Sequence, residues 1–246
     1  MNLLVDLGNS RIKWAHAGPQ RWEVGAEAIP AEGFSELLDR LWRARAAPDR
    51  VVVSSVHGPH RQRLLHDWMA HQWAREPHFI HAQAQQLGVT NRYRDPAALG
   101  ADRWAALIAA RQASPAAQCL VDCGTAVTID ALSAGGEFLG GVILPGLHMA
   151  RAGLLADTQG IRSADGAEGD CLARATGDGV AAGTLFGLAG AIERVVAEQR
   201  RVLGAEARVV LTGGDAPRLL SLLSGPVAHA PDLVLQGLKL IAEAQA

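Results

Sequence analysis

The sequence contains few cysteines and very few lysines. Its three cysteines are an odd number and too few for a disulfide framework, and the spacing of Cys119 and Cys123 matches no zinc-binding pattern. We therefore expect all three to be buried free thiols. Of the 23 basic residues only Lys13 and Lys239 are lysine, which draws attention to the one that follows the first polar turn.

Neither a strong net charge nor a long apolar run is present. The formal net charge of −2 gives no general attraction to nucleic acid or to an anionic membrane. No uninterrupted apolar run approaches the roughly 20 residues that span a bilayer. The N-terminus also lacks the charged-then-apolar order of a signal peptide. These absences lead us to expect a cytoplasmic protein without nucleic-acid or membrane partners.

Several common catalytic motifs are missing as well. The chain has no G-x-S-x-G elbow, no Walker A loop and no G-x-G-x-x-G fingerprint, and its nine histidines form no metal-binding pattern. Interpretations as a serine hydrolase, a P-loop protein or a Rossmann dehydrogenase therefore lose their main support.

A polar turn motif, in contrast, occurs twice. At 5–10 and again at 121–126, an apolar strand runs into an aspartate and then into a turn containing glycine and a hydroxyl residue. A carboxylate can hold a hydrated cation, and glycine lets backbone N–H groups approach phosphate oxygens closely. If 2–7 and 11–17 pair as a hairpin, Lys13 lies back along the second strand, near whatever the turn holds. A plain hairpin turn explains the first copy equally well, but the pair favours phosphate binding.

Secondary-structure patterns repeat in two halves, which predicts a duplicated α/β architecture with halves at 1–115 and 116–246. The polar, glycine-rich segment 157–171 is expected to be a mobile loop. In the first half we expect strands at 2–7, 11–17, 21–29, 51–53 and 78–81, and helices at 34–46, 60–74 and 101–113. In the second half we expect strands at 118–122, 126–132, 137–144 and 208–212, and helices at 148–156, 176–203, 216–223 and 232–244.

Three further segments are ambiguous by themselves. Gly100–Arg103 opens a helix, and from spacing alone its aspartate is best explained as a helix cap. The segments 140–146 and 211–215 each join a strand to a helix through glycines. Each is either a tight turn or a place where the backbone approaches a ligand.

In their order along the chain, these motifs resemble those of type III pantothenate kinases, which belong to the acetate and sugar kinase/heat-shock chaperone/actin superfamily. The resemblance covers nearly the whole chain and rests on DLGNSRIK, YRDPAALGADR, DCGTAVTID, GGVILPGLHMA, RATGDGVAAGTLFG, LTGGDA and PDLVLQGLKLI. It implies a duplicated ribonuclease H-like (actin-like ATPase) fold, with two mixed-sheet halves and the active site in the cleft between them.

The resemblance also implies an activity. Members of this family use ATP to phosphorylate pantothenate to 4′-phosphopantothenate, the first step of coenzyme A biosynthesis. They are typically homodimers, and they need Mg²⁺ and a monovalent cation, K⁺ or NH₄⁺. Two alternatives remain open, namely a regulatory nucleotide-binding accessory protein on the same fold, or a kinase of another small hydroxyl substrate.

The same resemblance implies roles for individual residues. Asp102 is expected to be the general base, Asp6 to bind the Mg²⁺ that accompanies ATP, and Asp122 to bind the monovalent cation. Ser10 stands where threonine is more common, which keeps the hydroxyl group. Pantothenate contacts are expected from Tyr93, Gly100, Ala101, Asp102, Arg103 and Thr176. ATP contacts are expected from Asp6, Leu7, Gly8, Asn9, Ser10, Arg11, Ile12, Lys13, Thr125, Gly213 and Gly214.

Overall fold

The computed structural model describes residues 1–245, and the chain divides into two compact units. Unit 1 contains Met1–Ala113 together with the chain from Leu233 onwards, and unit 2 contains Ser114–Asp232.

Unit 1 is built on a five-stranded mixed sheet in the order β3-β2-β1-β4-β5. The first three strands are antiparallel, whereas β4 and β5 run parallel to β1. A small antiparallel pair, β6 and β7, follows. The strands are β1 (Asn2–Leu7), β2 (Arg11–Gly18), β3 (Arg21–Ala28), β4 (Arg50–Ser55), β5 (His78–Phe79), β6 (Gln85–Gln86) and β7 (Val89–Asn91). The helices are α1 (Phe34–Trp42), α2 (Pro59–Trp73), α3 (Ala101–Ala113) and α7 (Leu233–Ala244).

The alternation of side chains along β1 decides what each face of this sheet carries. Leu3, Val5 and Leu7 are fully buried in a core that includes residues of α1 and α2. Because successive side chains of a strand point to opposite faces, Leu4 and Asp6 lie on the other face. Helices α3 and α7 pack against each other and contact the strands of this sheet. An aspartate at the end of β1 is thereby placed on the face that carries α3.

Unit 2 repeats this arrangement. Its five strands lie in the order β10-β9-β8-β11-β12. They correspond in this order to β3, β2, β1, β4 and β5 of unit 1. The core packs Cys119, Val121 and Cys123 of the central strand against α5, so Asp122 lies on the opposite face. The elements are β8 (Gln118–Cys123), β9 (Ala126–Leu132), β10 (Glu137–Pro145), α4 (Leu147–Asp157), α5 (Thr176–Leu203), β11 (Arg208–Thr212), α6 (Ala216–Leu219) and β12 (Val227–His229).

The predicted duplicated α/β architecture is thus confirmed, with local differences. The bounds of α3, α5 and β11 agree with the sequence-based expectation, whereas α1 ends at Trp42 rather than at 46. The short strands β6, β7 and β12 were not expected, because two or three residues carry no readable period. The expected halves, 1–115 and 116–246, remain a prediction, and the compact units differ from them in placing α7 with unit 1.

Helix α5 is the one described helix that is long and apolar enough to cross a membrane by length and composition. Its mean hydropathy over the most apolar window is 1.5, and 44% of that window is buried. Leu185, Leu188 and Ile192 of α5 belong to the core of unit 2. Because a buried core helix passes the same test, α5 alone is weak evidence for a membrane span.

The expectation about the cysteines holds for two of the three. Cys119 and Cys123 are buried free thiols, and burial raises their pKa values to about 11 and about 12 respectively. The expectation of burial was wrong for Cys171, which is a free thiol on the surface. It lies in the irregular segment between α4 and α5, where no core packs over it.

Candidate active site

The first polar turn joins β1 to β2 as a tight hairpin. The Gly8 N–H donates to the Arg11 carbonyl oxygen at 3.1 Å, and a Cβ at position 8 would lie 3.1 Å from that same oxygen. A side chain at position 8 would therefore require the Arg11 carbonyl to shift slightly. The carbonyl oxygen of Asn9 lies 3.2 Å from His57 Nε2, which links the turn to the loop after β4.

Three adjacent strands place a cation, a carboxylate and a hydroxyl side by side. Asp6 is directly opposite Lys13 on β2 and opposite Ser54 on β4. Residues that pair directly in a sheet project to the same face, so these three side chains form one row. The expected hairpin is present, and Lys13 lies back along its second strand, beside Asp6. Asp6 is only 7% exposed, so its carboxylate is held in a largely desolvated position.

Sequence reasoning missed Ser54. Its side chain is fully buried, and its hydroxyl has no hydrogen-bond partner among the described residues. A buried hydroxyl without a partner costs folding free energy, so its position beside Asp6 points to a role other than packing. The available signal was the pair of serines that closes an otherwise valine-rich strand.

Asp102 stands in the first turn of α3. Its Oδ1 accepts a hydrogen bond from the backbone N–H of Arg103 at 2.7 Å. Burial raises the pKa of the Asp102 carboxyl, and this effect outweighs the lowering by the hydrogen bond and charge of Arg103 and by the charge of Lys13. A Cβ at position 100 would lie 2.6 Å from Asp102 Oδ1, so a side chain there would displace the Asp102 carboxylate. The result is a partly buried carboxylate within electrostatic reach of Lys13.

Arg103 and Tyr93 form a direct pair. Arg103 Nη1 donates to the Tyr93 hydroxyl at 2.8 Å, and the guanidinium carbon lies 5.5 Å from the centre of the Tyr93 ring. Asn91, which sequence reasoning missed, braces this loop: its Oδ1 accepts the Tyr93 N–H at 3.0 Å, and its Nδ2 donates to the Pro96 carbonyl at 3.1 Å. Two residues expected to touch substrate are therefore brought together, although they are ten positions apart in sequence.

The second polar turn is also closed by a hydrogen bond from its glycine, but it is one residue shorter than the first. The Gly124 N–H donates to the Ala126 carbonyl oxygen at 3.2 Å. Asp122 is directly opposite Thr128 on β9 and Thr212 on β11, as Asp6 is opposite Lys13 and Ser54. Hydroxyl residues therefore flank the second aspartate on both sides.

Two glycine-containing loops pack directly against this second turn. The Gly146 N–H donates to the Thr125 carbonyl at 3.1 Å, and a Cβ at position 146 would lie 2.4 Å from the Gly124 oxygen. Gly213 has a φ of +94°, and its Cβ would lie 2.5 Å from Asp122 Oδ1. Both glycines are therefore required by contacts within unit 2, while Gly214 is exposed beside them.

Thr176 is the first residue of α5 and is exposed. It belongs to unit 2, whereas Tyr93, Asp102 and Arg103 belong to unit 1. The structure thus groups the expected site residues into two sets, one in each unit.

The residues present fit oxygen-ligated cations that are shared with a ligand. No group of three or more His, Cys, Asp or Glu side chains among residues 1–245 forms a ready-made metal site. Mg²⁺ typically binds to one or two carboxylates and completes its shell with water and substrate phosphates. Asp6, beside the hydroxyl residue Ser54, and Asp122, between two threonines, can each supply one such carboxylate.

The sequence matches the family model for type III pantothenate kinase over residues 2–198. A type III pantothenate kinase from Nitrosococcus oceani is 41% identical over 250 residues, covering 99% of this chain and 94% of that protein. One from Alcanivorax borkumensis is 37% identical and covers 100% of both chains.

Solved structures with the same fold are more distant in sequence. A protein described as a Baf family transcriptional activator from Campylobacter jejuni has a TM-score of 0.62 at 20% identity and covers 99% of this chain and 98% of its own. An archaeal actin homologue has a TM-score of 0.52 at 12% identity and covers 99% of both chains. The actin-like α/β fold implied by the sequence is thereby confirmed, and the full-length similarity to the curated relatives shows that this chain belongs to the type III pantothenate kinase family.

Proposed function

We propose that this protein transfers the γ-phosphoryl group of ATP to the primary hydroxyl of pantothenate, giving 4′-phosphopantothenate and ADP. Family membership supports the reaction, and the observation that carries it is the partly buried Asp102 carboxylate, with its raised pKa, within electrostatic reach of Lys13. Phosphoryl transfer needs mainly positioning and charge neutralisation, with a carboxylate that accepts the proton of the attacking hydroxyl.

Asp102 is the proposed general base. Its raised pKa makes the carboxylate a stronger proton acceptor than an ordinary aspartate, which favours proton transfer near neutral pH. The hydroxyl oxygen of pantothenate bonds to the γ-phosphorus, its proton passes to Asp102, and the bond to the bridging oxygen of ADP breaks. Arg103 and Tyr93 are positioned by each other to contact the substrate beside this base.

The two polar turns are the proposed phosphate contacts. Asp6 and Lys13 would face the ATP phosphates together with the backbone of 7–12, and Thr125 would contact them from the second turn. A divalent ion held by Asp6, Mg²⁺ in this proposal, supplies charge neutralisation for the phosphates when it is bound. A monovalent ion, K⁺ or NH₄⁺, is assigned to Asp122, and adenosine to Gly213 and Gly214.

We further propose a cytoplasmic homodimer that binds neither nucleic acid nor membrane. Unit 2 exposes several large apolar side chains on three consecutive elements, which is unusual for a monomer surface. They are Leu139, Val142 and Ile143 of β10, Met149, Leu154 and Leu155 of α4, and Phe186 of α5. A second copy covering these side chains would remove them from water.

The test is phosphorylation of pantothenate by the purified protein with ATP, Mg²⁺ and K⁺. Asp102→Asn should lower kcat by about a hundredfold or more, because the base is lost, while ATP binding measured by calorimetry stays unchanged. Asp67→Asn is a matched control, because Asp67 is an exposed aspartate of unit 1 that contacts His66.

Wild-type turnover in Asp102→Asn would contradict the base assignment. If the protein phosphorylated a sugar and not pantothenate, it would be a kinase of a different substrate. Specific DNA binding in a gel shift at physiological salt would instead favour a regulatory protein.

A further inference from the structure

The segment between α4 and α5 is held by an ion-pair network centred on Glu168. The Glu168 Oε1 accepts a hydrogen bond from Arg151 Nη2 of α4 at 2.7 Å. Arg218 of α6 binds the same carboxylate through two nitrogens, with Nη2 on Oε1 and Nε on Oε2, the latter at 3.3 Å. A segment without helix or strand, expected from its composition to be a mobile loop, is therefore tied to two helices.

One side of this network leads to the second polar turn. Arg218 Nη1 donates to Asp215 Oδ1 at 2.7 Å, and the Asp215 backbone N–H donates to the Cys123 carbonyl at 3.0 Å. Asp215 directly follows the Gly213–Gly214 pair. The contacts thus run from Glu168 through Arg218 and Asp215 to the turn that carries Asp122.

The other side leads to Thr176. The Ala167 N–H donates to Asp178 Oδ1 at 2.8 Å, and a Cβ at Gly166 would lie 2.5 Å from the Asp178 backbone nitrogen. The residues just before Glu168 therefore pack directly on the first turn of α5, which begins at Thr176. The arginines that hold Glu168 in place therefore also hold the segment that packs on the first turn of α5.

The network is more than a solvent-exposed surface pair. The side chains of Arg151 and Glu168 are 18% and 30% exposed, and that of Arg218 is 36% exposed. Arg151 is itself fixed by Thr184 Oγ1 at 3.0 Å and by the Ala181 carbonyl at 3.1 Å. Charges alternate along the chain of contacts, so loss of the Glu168 charge leaves two neighbouring guanidinium groups without the carboxylate between them.

We propose that Glu168 is a positioning residue that holds the segment leading to Thr176 and, through Arg218, the nucleotide-side turn after Gly214. Neither pantothenate nor ATP touches Glu168 in this proposal. The residue acts by keeping two distant substrate contacts of unit 2 in place. The identity of the two substrates in this proposal rests on the proposed kinase function. The claim that Glu168 holds the segment and the turn in place does not depend on that function.

Glu168→Gln tests the proposal because it keeps the size of the side chain and removes the charge. Glu198→Gln is the matched control, since Glu198 also lies between two arginines, Arg194 and Arg201, each at 2.6 Å, but on the surface of α5. Limited trypsin digestion reports the order of the segment, because Arg162 and Arg174 are exposed trypsin sites within it. Steady-state kinetics and ATP calorimetry report its effect on substrates.

We expect Glu168→Gln to be cleaved at Arg162 and Arg174 about tenfold faster than wild type, the effect of losing one charge-assisted contact. The KM for pantothenate should rise by about the same factor and ATP binding should weaken, with a smaller change in kcat. Glu198→Gln should match wild type in all three measurements. Glu168→Asp, which keeps the charge, should recover part of the loss.

Wild-type cleavage in Glu168→Gln would overturn the proposal, as would faster cleavage with unchanged pantothenate KM and unchanged ATP affinity. A wild-type protein inert towards pantothenate would refute the proposed function instead. Digestion and ATP calorimetry would then still decide whether Glu168 positions the segment and the nucleotide-side turn.

Discussion

Helix α7 packs on α3 through Gly237, and we expect Gly237→Ala to destabilise the protein. An alanine Cβ at this position would lie 1.9 Å from the Ala105 carbonyl oxygen and 2.5 Å from its carbonyl carbon. Close carbon–oxygen contacts in proteins are about 3.3 Å or longer. The two helices would therefore have to separate by roughly 1 Å or more.

Two opposing effects decide the size of the change. Alanine is favoured over glycine inside a helix by about 1 kcal/mol. Overpacking of a close contact costs about 1–3 kcal/mol or more, and here the obstacle is backbone, which cannot rotate away as a side chain can. Leu233, Leu238 and Ile241 of α7 are almost fully buried and would lose contacts as the helix moves. We expect a net loss of about 2 kcal/mol.

Thermal unfolding followed by circular dichroism measures this loss. For a chain of this size, about 2 kcal/mol corresponds to a Tm lower by roughly 4–8 °C. Gln236→Ala, at an exposed neighbouring position on α7, should change stability by no more than about 0.5 kcal/mol. Because Ala105 lies one turn after Asp102 on α3, kcat/KM should fall as well. A Tm of Gly237→Ala at or above the wild-type value would refute the clash and the reasoning built on it.

Two further predictions concern the site of unit 1. Ser54→Ala removes a buried hydroxyl that has no hydrogen-bond partner among the described residues. The free energy of unfolding should therefore rise by at most about 1 kcal/mol, seen as a higher Tm. The kcat/KM for phosphorylation should fall. A loss of stability, or full activity, would contradict a role for Ser54 in ligand binding. Burial raises the pKa of Asp102, so its ionised form lowers the stability of the folded state at neutral pH. Asp102→Asn should therefore have a higher Tm than wild type at pH 7, and this gain should shrink as the pH falls towards the ordinary aspartate pKa of about 3.9. A Tm difference that is independent of pH, or of opposite sign, would argue against the desolvation.

Long elements with clear ends could be predicted from the sequence. Helix α3 begins after Gly100 and ends before Ser114-Pro115, and α5 ends at Leu203, just before Gly204. Periodicity and breaker residues therefore determine the bounds of both helices. The pairing of β1 with β2 also followed from two apolar runs around a short polar turn. These features depend on neighbours in sequence, which is why one sequence suffices for them.

Features that depend on distant contacts could not be predicted. Spacing alone favoured a cap for Asp102, because its burial arises from packing that spacing does not record. The contact of Gly237 with Ala105, which joins the end of the chain to unit 1, has no local signal either. The Arg103–Tyr93 pair and the Glu168 network likewise join residues whose sequence separation is set by the fold.

The duplicated sheets give a physical reason for different roles of the two aspartates. In both units the aspartate is the next-to-last residue of the central strand, with one paired residue on each neighbouring strand. In unit 1 these neighbours are Lys13 and Ser54, so an ammonium group already lies in the row and can contact phosphate oxygens. In unit 2 they are Thr128 and Thr212, two hydroxyl residues and no cation. Under the proposed function, their oxygens and the Asp122 carboxylate would bind a cation. A bound monovalent ion in unit 2 would then supply the positive charge that Lys13 supplies in unit 1. This difference is the physical reason for proposing phosphate binding by Lys13 at the first turn and a K⁺ or NH₄⁺ site at the second.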